Sequence, residues 1–223
     1  MTDNTVTVPK RLLKDDAYDR IKRMIIEGAL RPGELLSERK LGKSLGISGS
    51  PVRAAIERLG MEGLVCVSPQ RGTFVLDLSF TEITEQFEFR MVLEPHIAAK
   101  LSGKLTDEQS KQLRKQLSEQ RKSAGEKKRN LIRDVELDME FHLLLCEYFG
   151  NREMTSTMLR MQDKITRAVL AVNWRHENRL PDSIREHASI AKAIIEGDSK
   201  AASQRMKEHL EFGRNFLISG GRD

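Results

Sequence analysis

Apolar positions in the first part of the chain recur at the spacing of a helix. Tyr18, Ile21 and Ile25 fall three to four residues apart and predict a first helix over residues 15–28. Ser37 is placed to cap a short second helix. A third helix follows, and its apolar face consists of Val52, Ala55, Ile56 and Leu59.

The period of the pattern changes after the third helix. The segments LVCV and TFVL predict two extended strands, and the turn SPQRG between them holds Pro69 and Gly72. Three helices followed by a β-hairpin form the layout of a winged helix-turn-helix domain. The alternative is a small α+β fragment that packs on a larger domain.

Beyond Leu76 the pattern is helical throughout, with no further strand signal. We expect a break at Leu180-Pro181, because proline rarely continues a helix. The predicted helices lie near residues 81–103, 106–124, 129–149, 151–177, 182–196 and 198–218. The predicted fold class is mainly α, with an N-terminal winged helix-turn-helix followed by an all-α bundle of six or seven helices. The predicted divisions are a flexible arm at 1–14, a winged domain at 15–77 and a helical domain at 78–220.

The positive charge is concentrated in the first third of the chain. The whole sequence carries a formal net charge of +5. Residues 1–76 hold 13 Lys and Arg against 9 Asp and Glu, a net of +4. This imbalance favours a module that faces a polyanion, joined to a nearly neutral module.

The sequence shows no sign of export or membrane insertion. It has neither the apolar run of a signal peptide nor the ~20 apolar residues that a membrane span needs. We therefore expect a cytoplasmic protein without membrane contact. Cys66 and Cys146 form no CxxC motif, and we expect two reduced, buried thiols.

The start of the third helix lacks bulky side chains. Ser48, Gly49 and Ser50 precede Pro51, which suits the first helical position, with Ser50 as the expected N-cap. A helix with a small first turn can approach another surface closely, and Arg53 follows at this end. The arginine could equally be a solvated charge or the partner of a nearby glutamate.

A second group of residues suggests metal binding. Asp138 and His142 are four residues apart and share one helical face, and His187 and His209 lie on separate predicted helices. An aspartate and three imidazoles that converge inside a bundle would suit a divalent transition metal such as Zn, Ni, Mn or Fe. The alternative is that these are surface or hydrogen-bonded core residues without a metal.

Several motifs, in their order along the chain, resemble a known family. The run LRPGELLSERKLGKSLGISGSPVRAAIERLGMEGLV and the following QRGTFV resemble the GntR-type winged helix-turn-helix. The helical remainder resembles the effector-binding FCD domain of the FadR subfamily. The resemblance covers nearly the whole chain and implies a transcription regulator that binds double-stranded DNA.

The resemblance implies that the third helix enters the major groove by its N-terminal end. Backbone amides there would reach phosphates while Arg53 reaches a base edge, and Arg71 at the wing tip would meet the minor groove or the backbone. The sequence departs from the family pattern at Gly49 and Ala54, where an arginine and a glutamate are usual, so the operator sequence does not carry over. The implied DNA-binding residues are Arg39, Ser48, Gly49, Ser50, Arg53, Arg71 and Gly72.

The resemblance also assigns roles in the helical domain. Arg90 matches an arginine that projects towards the ligand cavity, and its planar guanidinium suits a carboxylate effector. From the residues alone, Arg90 could instead pair with Glu94, four positions on. The implied metal ligands are Asp138, His142, His187 and His209.

Together these features predict a ligand-responsive DNA-binding regulator rather than an enzyme. The resemblance implies a repressor, and activation is the alternative that the residues leave open. We expect a homodimer that binds a palindromic operator and carries a metal-assisted site for a small carboxylate. One alternative is a metal-dependent enzyme in which the Asp/His cluster leaves an open position for water. Another is a regulator whose metal is purely structural.

Overall fold

The computed structural model describes residues 13–77, 79–127, 130–173 and 179–219. These residues divide into two compact units, the first of which ends at Asp77. Within the same ranges, no helix combines the length and the apolar character that a bilayer crossing requires. The flexible arm expected at residues 1–14 lies almost wholly outside the described residues.

The first unit contains three helices and a small sheet, which confirms the predicted winged helix-turn-helix. Its elements are α1 (Leu13–Ile26), β1 (Leu35–Leu36), α2 (Glu38–Leu45), α3 (Gly49–Met61), β2 (Val65–Ser68) and β3 (Gly72–Val75). Strands β2 and β3 form the predicted antiparallel hairpin, and β1 pairs antiparallel with the other edge of β3. Strand β1 was not predicted, because two residues are too few to show an alternating pattern.

The core of the first unit lies between α1 and α3. Tyr18 and Ile21 of α1 are buried in the same cluster as the apolar face of α3. Ser37 caps α2 as predicted, because its Oγ accepts a hydrogen bond from the backbone N–H of Lys40 at 3.3 Å. The buried positions on α3 are the four predicted ones, Val52, Ala55, Ile56 and Leu59.

Helix α3 begins slightly earlier than predicted. It starts at Gly49, and Ser48 occupies the N-cap position in an extended conformation without a side-chain cap hydrogen bond. The predicted cap at Ser50 is therefore wrong. Ser50 and Pro51 lie inside the first turn, where proline is tolerated because the first backbone N–H groups have no acceptor within the helix.

The two cysteines differ in burial. Cys66 follows the buried Val65 on β2 and is exposed, because neighbouring strand residues point to opposite faces of the sheet. The expectation of a buried thiol is therefore wrong for Cys66. Cys146 is fully buried, and burial raises the pKa of its thiol to about 12.

The described part of the second unit consists of helices, as predicted. They are α4 (Phe80–Leu101), α5 (Asp107–Ala124), α6 (Leu131–Phe149), α7 (Arg152–Asn173), α8 (Arg179–Glu196) and α9 (Ser199–Ile218). The break predicted at Leu180-Pro181 is wrong, because both residues already belong to the first turn of α8, where proline is accommodated. The interval between α7 and α8 falls at residues 174–178, which the structure does not describe.

The core of the second unit is shared by all six helices. Helix α4 packs along α9, and α6 packs against α4, α5 and α7, while α8 contacts α5 and α9. Met139, Phe141 and Leu145 of α6 are among its fully buried side chains. Side chains on the inward faces of α4, α6, α8 and α9 therefore share one interior.

Candidate functional site

The residues predicted to contact DNA are all exposed in the first unit. Arg39 lies on α2, and Arg71 lies at the turn between β2 and β3. The small residues that open α3 leave its first backbone N–H groups accessible to an approaching phosphate. The full exposed set is Arg39, Ser48, Gly49, Ser50, Arg53, Arg71 and Gly72.

Arg53, on the second turn of α3, is held by Glu38 at the start of α2. Its Nε donates to the two carboxylate oxygens of Glu38 at 3.1 and 3.2 Å, and its Nη2 donates to Oε2 at 3.0 Å. The hydrogen bonds and charge of Glu38 raise the pKa of Arg53. The glutamate pairing that the sequence left open is therefore present, and it links α3 to α2.

The tip of the wing is shaped by Gly72. The backbone N–H of Arg71 donates to the carbonyl oxygen of Ser68 at 3.2 Å and closes the turn. Gly72 then adopts a φ of 94°, a left-handed conformation that glycine tolerates best. A Cβ at this position would lie only 2.9 Å from Cδ1 of Leu35. The backbone conformation at position 72 thus favours glycine, and the neighbouring Arg71 provides the positive charge at the tip of the wing.

Three of the residues predicted to bind a metal meet inside the helical unit. His142 comes from α6, His187 from α8 and His209 from α9, and all three are buried. Nε2 of His209 lies 3.2 Å from Nε2 of His187 and 3.3 Å from Nε2 of His142. The bundle thus brings residues from three helices to one point.

Two of these histidines are oriented by carboxylates. Nδ1 of His142 lies 2.5 Å from Oε2 of Glu94, and Nδ1 of His209 lies 2.6 Å from Oε2 of Glu186. Because a carboxylate can only accept, both rings carry their hydrogen on Nδ1. In its neutral form, each ring then carries a lone pair on Nε2.

The third histidine is oriented by an amide. Nδ1 of His187 lies 3.1 Å from Oε1 of Gln120. The amide nitrogen of Gln120 donates to the carbonyl oxygen of Leu137 at 3.1 Å and to Oε1 of Gln116 at 2.9 Å. Since the nitrogen is used there, the oxygen faces His187 and accepts its Nδ1–H. All three rings therefore turn an Nε2 lone pair towards the same point.

This arrangement fits a metal ion. Neighbouring lone pairs repel each other unless a cation or a proton lies between them. Two nitrogens that each lie about 2.0–2.1 Å from one zinc ion at a tetrahedral angle are about 3.3 Å apart, close to the observed spacing. Hydrogen-bond acceptors behind the rings are also typical of metal-binding histidines. The three histidines could hold a metal ion.

Asp138, the fourth predicted ligand, lies at the edge of the cluster. Its Oδ1 is 3.7 Å from Nε2 of His187. The same oxygen accepts a hydrogen bond from Oγ of Ser183 at 2.6 Å. The structure therefore places the carboxylate near His187 at the edge of the cluster, where Ser183, a residue that the sequence did not indicate, orients it.

A cavity of about 60 Å³ adjoins the histidine cluster. Apolar side chains form much of its lining, together with Arg90, Asp138, His142 and His209. Nε of the buried Arg90 donates to Oε1 of Glu94 at 2.5 Å, while its Nη2 finds no acceptor among the described residues. A buried, unmet donor on a cavity-lining residue suits a ligand that brings an oxygen atom.

The surroundings also set the charge of two groups in this cluster. Burial raises the pKa of the Glu94 carboxyl, but its close contacts with Arg90 and His142 outweigh burial and lower the pKa to about 2. Burial lowers the pKa of His209 and outweighs its hydrogen bond to Glu186, which raises the pKa. Near neutral pH, Glu94 is therefore a carboxylate and His209 is neutral, as an orienting acceptor and a metal ligand must be.

The sequence analysis did not predict which residues orient the histidines. Glu94 gave a signal only as a partner of Arg90, through its spacing of four residues. Glu186 precedes His187 in the chain but serves His209, and Gln120 lies on another helix altogether. These relationships depend on packing between helices, which sequence spacing does not reveal.

Two protein-family models match the chain. The model of bacterial regulatory proteins of the gntR family matches residues 13–75, and the FCD domain model matches residues 85–212. The chain belongs to the GntR family. The FCD match covers more than half of this GntR-family chain and includes Arg90, Asp138 and the three clustered histidines.

Similar proteins are described as transcriptional regulators. The chain is 29% identical over 195 residues to the uncharacterized HTH-type transcriptional regulator YdhC of Bacillus subtilis, covering 86% of this chain and 85% of YdhC. It is 28% identical over 211 residues to the HTH-type transcriptional repressor RspR of Escherichia coli, covering 95% of this chain and 91% of RspR. A GntR regulator structure from Rhodococcus sp. RHA1 shares the fold, with a TM-score of 0.76 at 23% identity over 94% of this chain and 99% of that one.

This GntR-family chain is therefore a ligand-responsive, DNA-binding transcription regulator with FadR-like architecture. Regulators of this family bind DNA operators through the winged domain and small-molecule effectors through the FCD domain. The families and the curated relatives are regulators and not enzymes, which decides against the metal-dependent enzyme.

Proposed function

We propose that this regulator is a homodimeric repressor that responds to a small carboxylate bound beside a metal ion. The convergence of three Nε2 lone pairs next to a cavity that contains Arg90 carries this proposal. The repressor assignment is supported by the similarity to RspR, which is described as a repressor.

The dimer and its palindromic operator follow from the single recognition helix in each chain. Two copies related by a two-fold axis would present α3 to matching half-sites. The exposed apolar side chains Phe89 and Val92 on α4 support a self-association surface on the helical unit.

On the operator, the exposed residues of the first unit would make different contacts with the DNA. Arg53 would read a guanine edge, and the backbone at Ser48, Gly49 and Ser50 would meet phosphates. Arg39 and Arg71 would add charge contacts to the backbone or the minor groove, with Gly72 shaping the wing.

In the helical unit, His142, His187 and His209 would bind the metal, with Asp138 as the fourth ligand. The ion would be a divalent transition metal such as Zn, Ni, Mn or Fe, which neutral imidazole and carboxylate donors suit. The metal would supply Lewis acidity for an oxygen of the effector. Arg90 would bind a carboxylate of the effector through its unmet Nη2.

A thermal-shift experiment on metal-stripped and metal-reloaded protein tests this site. The probes are Zn, Ni and Mn salts and a panel of small mono- and dicarboxylates. An effector at about 100 times its Kd should add ~2.7 kcal/mol of stability, a rise of a few degrees in Tm. We expect this rise only in the metal-loaded protein, and the Arg90→Gln variant should lose it while keeping the stabilisation by metal.

Two results would contradict the proposal. If stripping and reloading leave the Tm unchanged, the histidines hold no metal. If metal stabilises the protein but no carboxylate adds to it, the metal is a structural element and the effector belongs to another chemical class.

A further inference from the structure

One carboxylate joins the two halves of the proposed effector site. Oε1 of Glu94 accepts from Nε of Arg90 at 2.5 Å, and Oε2 accepts from Nδ1 of His142 at 2.5 Å. Both Arg90 and His142 also line the same cavity. Glu94 is itself buried, so little solvent screens its charge from either partner.

Arg90 is held by this carboxylate on one side only. Its Nε is bound to Glu94, whereas its Nη2 has no acceptor within the described parts of the chain. An anion in the cavity that takes up the guanidinium therefore competes with Glu94 for the same positive charge. When the guanidinium of Arg90 binds the anion more strongly, its interaction with Glu94 weakens. The carboxylate then has His142 as its remaining close partner.

The strength of the hydrogen bond behind a histidine affects its quality as a metal ligand. A more strongly accepting carboxylate on Nδ1 makes Nε2 a stronger donor to a metal. Arg90 weakens the hydrogen bond that Glu94 accepts from His142, because the positive guanidinium partly neutralises the charge of the same carboxylate. Neutralising Arg90 should therefore strengthen metal binding through Glu94 and His142.

We propose that Glu94 is a positioning residue that couples anion binding at Arg90 to metal binding at His142. This inference rests on the metal and effector site proposed above. Thermodynamic linkage makes the coupling reciprocal. An anion that binds Arg90 raises the affinity for the metal, and the metal raises the affinity for the anion by the same factor. Because of this coupling, the regulator would respond to the metal and the anion together.

A double-mutant cycle on metal affinity tests the coupling with the metal alone. Full-length, metal-stripped protein is titrated with Zn²⁺ against a chromophoric chelator. The variants are Arg90→Gln, Glu94→Gln and their combination. Glu186→Gln is the matched control, because Glu186 orients His209 as Glu94 orients His142. Glutamine keeps an acceptor for Nδ1–H but carries no charge.

We expect Glu94→Gln and Glu186→Gln each to weaken Zn²⁺ binding about ten- to a hundredfold. Arg90→Gln alone should tighten it by about fivefold or more, the lower end of usual coupling between sites. The same gain should persist in the Glu186→Gln background and disappear in the Glu94→Gln background. A Co²⁺ absorption spectrum that Arg90→Gln leaves unchanged would show that the ligand set is intact.

The possible failures are distinguishable. If the unmodified protein binds no Zn²⁺, the proposed metal site fails, and the coupling fails with it. If Zn²⁺ binds but Arg90→Gln changes its affinity equally in all backgrounds, the effect is a long-range charge effect, and the role of Glu94 is overturned. Should Arg90→Gln not fold, Arg90→Met, which also removes the charge and keeps an unbranched side chain, replaces it in the same cycle and must show a Zn²⁺ effect that depends on Glu94 and not on Glu186.

Discussion

Two of the arginine–glutamate pairs in the chain lie in opposite surroundings. Arg53 and Glu38 join α3 to α2 in the winged unit, where 67% and 38% of their side chains are exposed. Arg90 and Glu94 lie one turn apart on α4 in the helical unit, where 3% and 2% are exposed. The same two residue types therefore meet water in one unit and are enclosed in the other.

This difference decides what each pair can do. Solvent screens the exposed pair, so Arg53 can exchange Glu38 for a phosphate or a base at little cost. The buried pair cannot be broken without leaving an uncompensated charge in the core. Arg90 is thus available only to a ligand that enters the cavity with its own negative charge.

The largest effect should follow from removing the buried carboxylate. Glu94→Ala leaves the guanidinium of Arg90 and the Nδ1–H of His142 without their partner, and should cost about 3–5 kcal/mol of unfolding free energy. Urea denaturation of metal-stripped protein, followed by circular dichroism, measures the loss. The transitions of the two units are fitted separately, because multi-domain chains can unfold in steps.

Glu38→Ala is the matched control for that measurement. It removes the same group from the exposed pair, and we expect no measurable shift of the unfolding midpoint. Similar losses in the two variants would mean that burial does not separate the pairs.

A smaller effect should appear on DNA when Arg53 is removed. Duplexes selected from a random pool by the purified protein serve as the probe. Arg53→Ala should lower affinity for them by about tenfold or more and relax the preference at one base pair of each half-site, because the proposed docking places the guanidinium against a base edge. Circular dichroism should show an unchanged fold, since the side chain is exposed. Undiminished selectivity would show that α3 docks differently.

The smallest effect should come from the wing. Arg71→Ala should weaken binding to selected and unrelated duplexes alike, because a phosphate contact carries no sequence information. The slope of log affinity against log salt should become shallower by about one for each lost contact. Measurements over a salt series check this, and a loss confined to one operator position would make Arg71 a base reader instead.

Local patterns were enough to predict much of the fold. The helical period set the buried face of α3, and the capping preference of serine placed the start of α2 at Ser37. Where the local signal was weak, the prediction failed. Strand β1 was too short to show an alternation, and Pro181 signalled a break although α8 accommodates it in its first turn.

The candidate sites could be predicted only in part. The resemblance pointed to three histidines, and the structure brings their Nε2 atoms together. It also pointed to Arg53, but not to Glu38, which holds it from another helix. The residues behind the histidines had no such signal, because a glutamate or glutamine on a helix is usually a solvated side chain.

The sequence by itself determined which stretches become helices, which faces turn inward and which unit carries the positive charge, because each of these depends on neighbours along the chain. Only the tertiary structure decided that Glu94 joins Arg90 to His142, that Gln120 and Glu186 orient the other two histidines, and that Asp138 stands at the edge of the cluster. Most of these contacts link different helices. They form only when the packed bundle fixes side chains that are far apart in sequence within hydrogen-bond distance.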